Sequence, residues 1–148
     1  MKIIETNDIP QADELDLVLK TVESISIGKS SYREIADYLG YDKRQGGYYR
    51  RSSEILGLTQ RTGTNSSKLT PIGKKILSSK LNMKNELLKT QLLKIPVFQN
   101  VISLLSSCNK GISVDNLNKY ILTFTKTTDK MASRRFNSIQ SWLIDLKI

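Results

Sequence analysis

Apolar positions recur with a period near 3.6 in several separate stretches of the chain, a pattern that predicts helices. In "DELDLVLKTVESI", Leu15, Val18, Val22 and Ile25 fall on one face, and acids occupy the first turn, where the helix dipole favours them. Gly28 breaks that run. "SYREIADYLG" then reads as a short helix: Ser31 is an N-cap with Glu34 three residues on, Ile35 and Leu39 share a face, and Gly40 stops it. After "YDK" comes a third helix that runs to Leu56 and ends at Gly57. Three helices with a sharp turn between the second and third predict a helix-turn-helix.

The pattern changes at Leu58. Leu58 to Gln60 and Lys68 to Thr70 are β-prone ends around a Gly/Asn/Ser-rich centre, which predicts a β-hairpin over 58–70 with a loose tip, that is, a wing. Thr70 and Pro71 give an N-cap and a first-position proline to the helix "PIGKKILSSK". The succession of three helices, a hairpin and a helix predicts a winged helix-turn-helix unit over 1–81.

Residues 82–148 open with two amphipathic segments separated at Pro96, one with Leu88, Leu92 and Ile95 on a stripe, the other with Phe98, Ile102 and Leu105. Ser113 caps a helix with Leu117, Ile121 and Phe124 inward. Thr128 caps a longer one with Ala132, Phe136, Ile139, Leu143 and Leu146 inward, and Trp142 at the face boundary seals the core. A turn, a short helix and a longer basic helix repeat the succession of the first half, so 82–148 reads as linking helices and a second winged-helix-like unit. The sequence ends at "LIDLKI", where a second wing would start, and the expectation is an amino-terminal piece of something longer rather than a unit built without a wing. The expected fold class is mainly α with a small β-hairpin wing, arranged as tandem winged helix-turn-helix units.

A chain of 148 residues, 39% hydrophobic and 25% charged, suits a soluble globular protein with one ordinary core or two small ones. No apolar run approaches 18 residues and no basic-then-apolar leader begins it, so the expectation is a cytoplasmic protein with no membrane partner. The single cysteine, Cys108, excludes an internal disulfide and a multi-cysteine zinc site.

The net charge of +9 asks for an anionic partner, and nucleic acid leads for a compact basic domain. Residues 1–20 carry two lysines against five acids, whereas residues 42–80 carry nine basic side chains against two acids. The excess therefore centres on "YDKRQGGYYRRSSEILGL", a basic helix weakened by Gly46 and Gly47, each costing about 1 kcal/mol relative to alanine in a helix interior. Arg44, Tyr48 and Arg51 share one face with Gly47, while Lys43 and Gln45 stand at the amino end, where helix-turn-helix proteins place base contacts. Arginine can bind the O6 and N7 edges of guanine and glutamine the N6 and N7 edges of adenine, and a tyrosine such as Tyr48 can bond phosphate, while one of the pair Tyr48 and Tyr49 packs on the first helix. Arg50 adds a further cation, and the absent side chain at Gly47 lets the backbone come close to the duplex. Arg61 and Lys68 flank the wing tip. In the second unit Arg134, Asn137, Ser138 and Ser141 form the polar face, with Arg135 beside it and Lys130 near the start, a weaker footprint.

Catalytic patterns are sparse. Without histidine there is no Ser-His-Asp arrangement and no zinc-histidine site. The one acid-x-lysine triplet, Asp145-Leu146-Lys147, is within chance, since 14 acids and 16 lysines in 148 residues give about 1.5 such triplets. "GKS" at 28–30 lacks the upstream glycine of a phosphate-cradling loop. No cofactor and no small-molecule substrate is indicated.

"EIADYLGYDKRQGGYYRRSSEILGLTQ…KLTPIGKKIL" resembles the amino-terminal winged helix of the DNA-recognition regions in modular type II restriction endonucleases, where a helix carrying Arg-Gln and a Tyr-Tyr pair leads to "LGL", a wing and "LT..G". "LLKTQLLKIPVFQNVISLL", "GISVDNLNKYI" and "RRFNSIQSWL" similarly resemble the linking helices and second winged helix of such regions. The resemblance implies sequence-specific binding of double-stranded DNA, with cleavage, and the magnesium it uses, assigned to a separate nuclease domain absent from this chain. It implies recognition by Lys43, Arg44, Gln45, Tyr48 and Arg51, with Arg134 and its neighbours in the second unit. Two other readings stand beside it: a free-standing winged-helix transcriptional regulator or plasmid replication initiator, and a protein-interaction module using the same face.

Overall fold

A computed structural model describes residues 3–108, 110–126 and 129–147 of the chain, with the backbone alone at 129–133. Among these residues the elements are α1 (Leu15–Ser26), α2 (Tyr32–Leu39), α3 (Lys43–Ile55), β1 (Thr59–Gly63), β2 (Ser66–Leu69), α4 (Pro71–Ser78), α5 (Leu81–Leu92), α6 (Pro96–Ser107), α7 (Val114–Leu122) and α8 (Asp129–Asp145). The protein is thus mainly helical, with one small antiparallel sheet. No described helix is long and apolar enough to cross a membrane.

Local chemistry sets the helix ends. Ser31 and Glu34 form a reciprocal capping box at the start of α2, and Gly40 closes that helix in the left-handed conformation at φ 78°. Asp42, Thr70 and Ser113 each accept a backbone N–H in the first turn of α3, α4 and α7, a contribution of about 1 kcal/mol apiece. The expected cap Thr128 lies outside the described residues, and the side chain of Ala132 is likewise not described.

α2 and α3 cross at Gly46. A Cβ there would overlap the Tyr32 carbonyl oxygen and stand 2.8 Å from the Ala36 Cβ, so the missing side chain lets the two helices touch. Gly73 does the same for α4, whose first turn rests on the Leu58 carbonyl. The packed face of α3 carries Tyr49, Ser52 and Ser53, and Tyr49 shares one buried cluster with Leu56 and Leu58.

The hairpin is tighter than its composition suggests. Thr59 pairs with Leu69, Gln60 with Lys68, Arg61 with Ser67 and Gly63 with Ser66, with an irregularity between Arg61 and Gly63, so strand structure runs through the region expected to be a loose tip. Tertiary bonds hold that tip: Asn65 Oδ1 accepts from the Tyr32 N–H at 3.2 Å and from Arg50 Nη1 at 2.8 Å. The Thr62 and Ser66 hydroxyls also bond each other at 2.8 Å.

Residues 3–14, notable in the sequence only for their acids, form a strap along α8 that includes a 3-10 turn at Thr6–Asp8. Ile4 bridges Thr125 in parallel, its N–H donating to the Phe124 carbonyl at 2.7 Å while its own carbonyl accepts from the Lys126 N–H at 3.1 Å. Ile4, Ile9 and Ala12 are buried. From α8, Arg135 donates to the Thr6 and Ile9 carbonyls, Ser138 to the Asp13 carboxylate and Trp142 Nε1 to the Ala12 carbonyl. Trp142 also stacks on Phe98 of α6, ring centres 5.6 Å apart. Most of the buried apolar residues, from Ile4 and Leu15 to Leu146, form one cluster that includes members on both sides of residue 81.

Candidate nucleic-acid interface

The amino-terminal half of α3 stands at the surface. Asp42 caps it through the Gln45 N–H at 3.0 Å, which leaves Lys43 and Arg44 exposed and Gln45 half-buried. One turn on, Gly47 faces open space, with nothing within 4 Å of the position a Cβ would take. Arg44 donates through Nε to the Tyr48 hydroxyl, and its guanidinium lies 5.5 Å from the centre of the Tyr48 ring. The Arg134 guanidinium of α8 also lies 5.5 Å from that centre. Tyr48 is therefore where α3 and α8 meet, and two arginines 90 positions apart in sequence share one aromatic ring. Asn137, one turn beyond Arg134, is exposed. Lys43, Arg44, Lys68 and Arg134 form no ion pair among the described residues.

Other side chains expected on this surface are committed within the protein. Arg51 turns to the strap, bonding the Asp8 carboxylate at 3.0 Å and the Asn7 carbonyl at 2.9 Å, with Glu54 3.6 Å away. Arg61 is held at two nitrogens by Glu54, at 3.1 and 3.0 Å. Both remain partly exposed, but their charge is already matched. Arg50, Arg135 and Ser138 are corrections to the sequence reading: all three are buried, at 8%, 6% and 0% exposure. Arg50 points to Asn65 beneath the hairpin tip, while Arg135 and Ser138 bind the strap. Burial pulls both guanidinium groups below the ordinary arginine value, with neighbouring charges adding smaller effects. The side chain of Lys130 lies outside the described residues.

Of the tyrosine pair, Tyr48 faces outward and Tyr49 inward. Tyr49 is 4% exposed and stacks on Tyr41 with ring centres 6.2 Å apart. Burial pushes its phenol up to about 12. Sequence reasoning passed over Tyr32, Arg33 and Asn65, which gather around Arg50 at the start of α2. Their only signal was local, an aromatic-arginine pair at a helix start and an asparagine in a turn.

Fold and site together define a mainly helical protein with a small antiparallel hairpin and a cationic surface shared by two helices. The chain belongs to the family described as domain of unknown function DUF7226, whose model matches residues 17–145. No curated protein and no solved structure matches it.

Proposed function

We propose that the chain binds double-stranded DNA sequence-specifically through tandem winged helix-turn-helix units, with α3 in the major groove, β1–β2 as the wing and α8 as the second unit's recognition helix. The observation that carries the reading is the surface around Tyr48, where Lys43, Arg44 and Arg134 have no carboxylate partner among the described residues and Gln45 and Asn137 supply amides. Phosphates would neutralise the lysines, and the arginines and amides have the donor geometry for base edges. Lys68 on β2 suits a backbone contact. Arg135 and Ser138 take no direct part in this reading, and Arg50 lies off the Tyr48 surface beside Asn65, because each is buried against its own chain.

Service to a type II restriction endonuclease, with cleavage by a separate domain, rests on the motif resemblance alone. Selection of duplexes from a randomised pool tests the central claim: an enriched motif is expected, and a pool that stays random would overturn specific recognition. A monomer on an asymmetric motif supports the restriction module, and a dimer on a palindrome supports a regulator.

A further inference from the structure

Around Tyr32, where α2 begins, the side chains of Arg33 and Arg50 converge with no carboxylate in ion-pair contact with either among the described residues, and Glu34 of the same turn is engaged by the Ser31 N–H. The guanidinium groups of Arg33 and Arg50 lie 5.7 and 5.8 Å from the ring centre, and Arg33 Nε donates to the Tyr32 hydroxyl at 3.3 Å. That hydrogen bond, with the charges of Arg33, Lys43 and Arg50 behind it, pulls the Tyr32 phenol below its usual value. Asn65 reaches in from the hairpin tip to bond both the Tyr32 N–H and Arg50. Arg50 is 8% exposed, its Nε has no acceptor, and neither it nor Arg33 forms an ion pair among the described residues. The positive charge of Arg61 adds repulsion on Arg50, while Glu54 offsets it in part. A buried cation matched by one amide oxygen is a costly arrangement, since burial of charge is tolerated when a counter-charge and hydrogen bonds repay the lost hydration. Here the protein supplies the amide, the aromatic ring and the shape, while Glu54 is bound to Arg51 and Arg61 and pairs with neither Arg33 nor Arg50.

We propose that Tyr32, Arg33, Arg50 and Asn65 form a pocket for one backbone phosphate of the duplex, set between α2 and the hairpin tip. This rests on the DNA-binding reading above and adds a positioning contact outside the Tyr48 surface. Exposed Arg33 meets the phosphate directly, and the Arg50 charge beneath it strengthens the attraction. A phosphate contact fixes register on the duplex without reading sequence.

Anisotropy titrations of the full chain on the selected duplex and on an unrelated one, from 0.05 to 1 M salt, test the pocket. The one hydrogen bond of the Arg33 side chain among the described residues goes to the Tyr32 hydroxyl, so Arg33→Ala leaves the core untouched. It is expected to weaken both duplexes equally, by about eightfold at 0.1 M salt, and to reduce the slope of log affinity against log salt by about 0.9. Arg33→Lys is expected to keep most of that slope. A slope unchanged in Arg33→Ala, or a loss confined to the selected duplex, overturns the pocket while leaving DNA binding in place. A wild-type chain that shows no salt-dependent duplex binding overturns both.

Discussion

A methyl group added at residue 46 would run into the backbone of α2, while one added at residue 47 would meet nothing within 4 Å. The two glycines were legible in sequence as a break in helix propensity, but not as two different devices, because the difference lies in which side of α3 the neighbouring helix occupies. Gly46→Ala should therefore destabilise the fold by about 1 to 3 kcal/mol through overpacking, seen as a lower denaturant midpoint. Gly47→Ala should stabilise it by about 1 kcal/mol through helix propensity. If α3 enters the groove at that point, Gly47→Ala will also bind duplex more weakly despite its greater stability. Tyr49 gives a residue-level prediction in pH. Its folded phenol titrates near 12, above an ordinary value of 10.0, so its contribution is fully present below pH 10 and is lost as pH rises towards 12. Thermal melts of Tyr49→Phe should lose less stability across that window than the wild type.

At the scale of elements, periodicity and capping chemistry were enough to place the helices. Ser31, Thr70 and Ser113 cap α2, α4 and α7 where the sequence put them, and Leu88, Leu92, Ile95, Leu117 and Ile121 are buried on the stripes that their spacing defines. The strap at residues 3–14 escaped the same reasoning. It has no helical or strand period, and its bonds reach partners more than 120 positions away, such as Arg135 to Thr6 and Trp142 to Ala12. Arg134 and Arg135 show the limit most directly: adjacent residues on one basic helix, the first exposed and the second under the strap. Arg135→Met removes two hydrogen bonds from a buried cation to strap carbonyls and should cost about 3 kcal/mol. Limited proteolysis should then cut within residues 3–14 well before the wild type is cut there.

For the molecule as a whole, the proposed DNA surface depends on bringing α8 against α3. Arg44→Ala should weaken binding to the preferred duplex by roughly 1 to 3 kcal/mol and spare unrelated duplexes. Arg44 and Arg134 lie over the same Tyr48 ring, so their double substitution should cost less than the sum of the single losses. Strict additivity would place them on independent contacts. The sequence by itself determined the helices, the hairpin, their caps and the concentration of positive charge around α3, because each of these follows from spacing and residue chemistry within a few turns of chain. Only the tertiary structure decided which cations remain free. Arg51 is matched by Asp8, Arg61 by Glu54 and Arg135 by strap carbonyls, whereas Lys43, Arg44 and Arg134 are left facing outward. The physical reason is that a charge becomes available to a partner only after the folded chain has matched its neighbours, and those matches join residues that no local pattern connects.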